Sequence, residues 1–207
     1  MPERQNAEAG LRVLVDPARM GLWRLLLQDG FAVEAPVGGP VGEFLRQGLG
    51  LDQAYVEQRC RTIFHNGHPV DDMERGVVED GDSVVLSAAM PGVVGIAMRR
   101  GSPLAAMRSG ISLVDEPLPE AGAGRSPGTV SLKLFNLVLC DLGEALLARG
   151  VKVRPEALLA FFNAIPEHKG IARMFWRGAE VSLEQVKGLL PAENGRRVPL
   201  VCQAAGG

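Results

Sequence analysis

The sequence predicts an α+β protein made of two copies of one small unit, and three observations point to it. Short alternating or apolar runs that read as strands interleave with runs of helical spacing. Turn signals, above all Asn66-Gly67 and Gly81-Asp82, close these runs at short intervals. The second half then repeats the order of the first, in letters as well as in pattern. A chain of 207 residues is long enough for two small domains that each bury a core.

In the first half, Leu11 to Val15 alternates as a strand, and Met20 to Leu27 has the apolar spacing of a short helix ending near Gly30. Phe31 to Glu34 reads as the next strand. Gly38-Gly39-Pro40 leads into a helix over Val41 to Gly48, with Phe44 and Leu45 facing inward, and Asp52 caps a second helix reaching Arg59. Thr62 to His65 and His68 to Val70 flank Asn66-Gly67, a dipeptide suited to the left-handed geometry of a two-residue hairpin turn. Ser83 to Ser87 closes the half as a strand after Gly81-Asp82.

Val130 to Leu134 stands where Leu11 to Val15 stood, and Ala145 to Val153 answers Leu25 to Val33. Pro155 to Ala164 is a helix with proline in its first turn. Met174-Phe175-Trp176-Arg177-Gly178-Ala179-Glu180-Val181 answers Ile63 to Val70, matching Phe, Gly and Val at one offset. Gly195 to Leu200 answers Gly81 to Leu86. Residues 115–129 hold three Pro and three Gly without periodicity, the composition of a linker. The division is therefore residues 1–10 as a flexible N-terminus, 11–92 and 130–207 as the two copies, and 93–129 as a basic connector followed by the Pro/Gly-rich linker.

Composition narrows the function classes. With 46% hydrophobic and 22% charged residues the chain is ordinary globular material, which excludes wholesale disorder. The net charge of −2 gives no overall basic field, so no nucleic-acid partner is expected. The acidic N-terminus does not resemble a signal peptide. The longest uncharged run, Ser83 to Met98, falls short of the ~20 residues of a spanning helix and is broken by Pro91, Gly92 and Gly95, so no membrane partner is expected. Cys60, Cys140 and Cys202 are widely spaced and read as buried small hydrophobes in a reduced, cytoplasmic protein. His65, His68 and His168 supply no nucleophile arrangement, so the chain does not read as an enzyme.

Phe64-His65-Asn66-Gly67-His68-Pro69-Val70-Asp71-Asp72, followed by Glu79-Asp80-Gly81-Asp82-Ser83-Val84-Val85-Leu86, resembles the hairpin and acidic turn of the ubiquitin-like sulfur carriers of the ThiS and MoaD kind. The resemblance implies a β-grasp fold in each half, hence two tandem β-grasp domains joined by the Pro/Gly-rich linker. In the second half Arg177-Gly178 replaces Asn-Gly and Asn194-Gly195-Arg196 replaces the acidic turn, but the sequence ends in Gly206-Gly207, as members of that family do. The resemblance thus implies a terminal carboxylate at Gly207 that is adenylated by an E1-like enzyme, thiocarboxylated, and offered to a sulfur-accepting enzyme. Gly206 gives the thin backbone that such an enzyme's slot requires. No side chain is catalytic in this scheme and no cofactor is implied. The alternative is a structural adaptor that binds a partner protein through its domains and connector, with an inert tail.

Other constellations have two readings each. Asp71, Asp72 and Glu74 belong to an acidic run that is either a solvated loop or a docking patch for a basic partner. The segment Met98 to Ile111 carries Arg99, Arg100 and Arg108, and no acid stands between Ser83 and Val114. It either packs back on the first copy or serves as an exposed arm, with Leu104, Met107 and Ile111 on one face if helical. His65 and His68 face one another across the hairpin and are either solvated or two ligands of a metal ion.

Overall fold

The computed structural model describes residues 10–108, 110–111, 124–164 and 170–206. The chain is mixed α and β throughout. Its contacts group the described residues of 32–138 into one compact unit and those of 1–31 and 139–207 into another. We refer to these as the middle unit and the terminal unit.

The middle unit contains β2 (Phe31–Val37), β4 (Thr62–His65), β5 (His68–Pro69), β7 (Ser83–Ser87) and β8 (Ser126–Phe135), in the order β2-β8-β7-β4-β5. β7 runs parallel to β8, from Ser83↔Ser131 to Ser87↔Phe135, and antiparallel to β4, from Thr62↔Ser87 to His65↔Val84. Alternation decides which face is buried: Val130, Leu132 and Leu134 of β8 and Val84 and Leu86 of β7 are inside. Two short strands, β3 (Gly39–Pro40) and β6 (Val77–Val78), pair separately. Helix α2 (Val41–Glu43) widens into a π turn over Phe44–Gly48 that buries Phe44 and Leu45. Asp52 caps α3 (Gln53–Arg59), accepting the Tyr55 N–H at 2.7 Å.

The terminal unit contains β1 (Leu11–Val15), β9 (Val151–Val153), β10 (Ile171–Trp176), β11 (Ala179–Glu180) and β12 (Val198–Ala204), in the order β11-β10-β1-β12-β9. β1 is antiparallel to β10, with Val13↔Met174, and parallel to β12, with Val13↔Cys202. Its Leu11, Val13 and Val15 are buried alternately with Arg12 and Leu14. Helix α1 (Met20–Trp23), which tightens into a 3₁₀ turn over Arg24–Leu27, brings Trp23 against α6 (Pro155–Ala164). Trp23, Phe161 and Phe162 form an aromatic trio with ring centroids 5.1 to 6.1 Å apart. Helix α7 (Leu183–Leu189) starts at a capping box, Ser182 with Gln185, that the sequence reading passes over.

The pairing differs from the tandem order expected. β1 pairs with strands of the second half, and β8 lies beside β7 of the first. The strands of the two units follow one plan, a hairpin (β4–β5, β10–β11), an antiparallel neighbour (β7, β1), a strand parallel to that (β8, β12) and a last strand (β2, β9). In place, then, β1 corresponds to β7 and β12 to β8, although in letters β1 answers β8 and β7 answers β12. The reason lies in the connections. A strand joined to the next by a tight turn must pair with it. β1 is followed by a helical stretch to Leu27, and β8 by α5 (Asn136–Arg149), entered without a loop through the left-handed Asn136 at φ 55°. Neither strand is forced against its successor.

Two smaller expectations also change. β8 begins at Ser126, inside the stretch read as linker, while residues 115–123 lie outside the described residues. Cys60 and Cys202 are buried, and burial pushes the Cys202 thiol up, but Cys140 is exposed on α5. Among the described residues no helix is long and apolar enough to cross a membrane.

A fragment of residues 130–207 leaves the place between β10 and β12 without its strand. We expect it to show no cooperative thermal unfolding until a peptide of residues 10–31 is added. Cooperative folding of the fragment alone, followed by circular dichroism, would refute the pairing.

Candidate interaction site

Two turns form the base of the site in the middle unit. Asn66 and Gly67 take φ of 49° and 84°, the left-handed pair that a tight hairpin requires. Asn66 Nδ2 donates to Asp82 Oδ1 at 2.8 Å, and Asn66 Oδ1 accepts the Ser83 N–H at 2.9 Å. His65, 3% exposed, places Nε2 at 2.6 Å from Asp82 Oδ2, which also accepts the Glu79 N–H at 2.8 Å. Burial pushes the Asp82 carboxyl up, but the bonds from Glu79, Asn66 and His65 outweigh it and hold its pKa below the usual aspartate value. The residues that carry the family resemblance thus tie the hairpin turn to the turn before β7.

His65 and His68 are register partners, as the hairpin reading requires. Yet His65 Nε2 is committed to Asp82, while His68 is exposed with Nδ1 3.1 Å from the Ile111 carbonyl oxygen. Among the described residues no group of three or more His, Cys, Asp or Glu side chains could hold a metal ion. His168 lies outside the described residues.

The connector folds back on this base. Arg108 is buried, its side chain 1% exposed, and its guanidinium grips Asp71 with both arms, Nη1 to Oδ2 at 2.8 Å and Nη2 to Oδ1 at 2.7 Å. The same guanidinium donates to the carbonyls of Ala97 and Arg99. Arg100 is half-buried; its N–H donates to the Arg61 carbonyl at 2.9 Å, and burial lowers its pKa ahead of the opposing pull of Cys60 and Glu57. Of the two readings of this segment, packing back is the one observed.

The remaining candidates are dispersed. Asp72 accepts the Glu74 N–H and lies 3.4 Å from Arg75, and Glu74 lies 3.8 Å from Arg46. Asp71 and Arg108, for each of which docking was one of two readings, are partners of each other. Arg99 is partly exposed beside them.

The Arg108–Asp71 clip holds down a segment with an apolar outer face, of which the sequence reading singled out only Met107. Helix α4 (Gly92–Met98) exposes Val93 by 63%, Val94 by 65% and Ile96 by 45%, and Met107 in the following 3₁₀ turn, Ala105–Arg108, is 72% exposed. Gly95 sits where a Cβ would collide with the Met90 carbonyl, which keeps α4 close to the end of the preceding strand segment. The breakers Pro91, Gly92 and Gly95 hid this helix from the pattern. Met107 and Ile111 are exposed while Leu104 is half-buried, so the three form no packed face, and Arg108 of the 3₁₀ turn is buried instead. The available signal was the long acid-free run from Ser83 to Val114.

At the other end of the chain, Ala205 N–H donates to the Val15 carbonyl at 2.7 Å, and Gly206 beyond it is exposed. Gly207 lies outside the described residues. Compared with protein-family models, with curated proteins and with solved structures, the chain finds no match in any of the three.

Asp71→Asn removes the carboxylate from a buried arginine that keeps two carbonyl partners. It is expected to destabilise the connector by about 1–3 kcal/mol, since the Asp71 side is partly solvated. Trypsin should then cut at Arg99 to Arg108 before the rest of the chain, and unchanged cutting would show the clip to be idle. Asp82, whose pKa is lower folded than unfolded, contributes stability that is complete above the usual carboxylate range. This is lost as pH falls through its folded value. An Asp82→Asn variant should therefore be less stable than the parent at neutral pH, and the gap should close in acid in denaturant titrations.

Proposed function

We propose that the protein is a noncatalytic interaction module that holds a partner protein on the apolar face of α4 and the 3₁₀ turn after it. The reading rests on one observation, that a buried arginine fork fixes a segment whose solvent side is Val93, Val94, Ile96 and Met107. Large apolar side chains gathered on one short segment mark interaction surfaces, and methionine adapts to irregular partners. The segment has Arg99 and Arg100 and no acid, which favours a partner with an apolar segment flanked by Asp or Glu. In this reading each unit is a β-grasp-like sheet that serves as scaffold, with its central strands exchanged relative to a tandem pair. The plan of a hairpin, an antiparallel strand and a parallel strand supports it.

A second reading, the sulfur carrier, is favoured by the tail. The backbone is held as far as Ala205 and then released at an exposed glycine with nothing within 4 Å of where a Cβ would be. An E1-like enzyme could then reach the Gly207 carboxylate.

One experiment separates the two. A photocrosslinker at position 94 of natively expressed protein should capture one partner, which is then identified, purified and titrated. We expect its Kd to rise at least ~10-fold, or ~1.4 kcal/mol, in Val93→Asp/Val94→Asp protein and to weaken with salt. Absence of an adduct, or an adduct to a second copy alone, overturns the interaction reading. The mass of the same preparation reports replacement of a terminal oxygen by sulfur, the result the carrier reading requires.

A further inference from the structure

We propose that a cleft in the terminal unit, between the β10–β11 turn and the turn before β12, binds a small amphipathic organic anion with an apolar body and one carboxylate. The cleft measures about 660 Å³, within the range of small-molecule sites, and its walls include Trp176, Arg177, Leu189, Glu193 and Arg196. The inference stands on this cleft alone and is independent of the apolar face on α4.

The walls divide by chemistry. Leu189, 38% exposed, is the large apolar side chain left open where the cleft opens, and Trp176, 8% exposed, backs the wall beside it. The Arg177 guanidinium stands over the Trp176 ring at 5.5 Å and donates to Glu193 Oε1 at 2.7 Å. Glu193 is 18% exposed at its side chain, and Arg177 matches its charge. Arg196 is then left as the uncompensated cation, exposed and without an ion-pair partner among the described residues. A ligand that lays an apolar body against Leu189 and presents a carboxylate to Arg196 meets both surfaces at once.

The matching turn of the middle unit shows why the cleft exists here. Asn66-Gly67 and Arg177-Gly178 have nearly the same backbone, φ of 49° and 84° against 49° and 86°. In the middle unit, short side chains close the corner, Asn66 bonding Asp82 directly at 2.8 Å beside the buried His65. In the terminal unit two long side chains, Arg177 and Glu193, span it instead. Arginine is a poor choice for a left-handed turn position where asparagine is at ease, so Arg177 stands there against local preference. Asn194, also left-handed at φ 49°, turns the opposite wall toward β12.

The chain has two tryptophans, so its ¹H–¹⁵N spectrum holds two indole signals, one for Trp176 at the back of the cleft and one for Trp23, which does not line it. Trp176→Phe or Trp23→Phe assigns them. With 2-naphthoate as probe, we expect the Trp176 signal to move saturably and the Trp23 signal to stay. Arg196→Ala should weaken naphthoate at least fivefold without changing the thermal midpoint, and leave the neutral 2-naphthamide unaffected. Arg177→Asn should preserve folding while also weakening naphthoate. No saturable shift at millimolar probe, or equal binding by Arg196→Ala, overturns the site. So does an equal shift with inorganic phosphate, which would mark a bare charge without an apolar surface. Movement confined to residues 93–107 would place the probe on the α4 face and equally overturn it.

Discussion

The terminal unit depends on the pairing of β1 with β12, the first described strand with the last. Val13, fully buried, sits opposite Met174 on one side and Cys202 on the other. A parallel pair cannot be joined by a tight turn. Here nearly the whole chain lies between its two members. The contacts at the centre of that sheet are therefore among the most non-local the chain can make, and closing such a loop has its entropic cost before it gains any burial. Neighbouring features follow from it. The helical stretch after β1 must lie where Trp23 meets Phe161 and Phe162, and the tail after β12 is fixed as far as Ala205 by the Val15 carbonyl.

The two units share a plan but not a solution to their corners. Each has a hairpin whose two central residues are left-handed, and each ties that turn to a second turn by a side-chain bond. The middle unit uses Asn66 and Asp82, with a backbone donor and a histidine completing the carboxylate's partners. That corner is filled, and its charge is internally satisfied. The terminal unit uses Arg177 and Glu193, whose length leaves space between the turns. The difference in a few turn residues leaves one corner closed and one open.

The charges of the connector and of the acidic run meet within the molecule. Asp71 and Arg108 carry opposite charges, and docking was one of two readings for each. Folded, they satisfy each other and hold apolar residues outward. A buried guanidinium needs several acceptors, and Arg108 has a carboxylate and two carbonyls. That requirement fixes the geometry of the segment more narrowly than its apolar residues could. The side chains left exposed on this segment are Val93, Val94, Ile96 and Met107.

By itself the sequence determined the local elements. The Asp52 cap, the Asn66-Gly67 turn, the helix from Pro155 to Ala164 and the alternation of β1, β7 and β8 are set by near neighbours, and all are found where the residues place them. The tie between His65, Asn66 and Asp82 was not legible, because no spacing rule reveals a bond between two turns. Tertiary structure alone decided which sheet each strand joins, that Arg108 turns inward, and that Arg177, Glu193 and Arg196 frame a cleft. The physical reason is one of range. Capping, turn geometry and side-chain alternation act over a few residues, whereas strand pairing and ion pairing depend on which distant segments meet, and a helix placed after β1 and after β8 left that choice open.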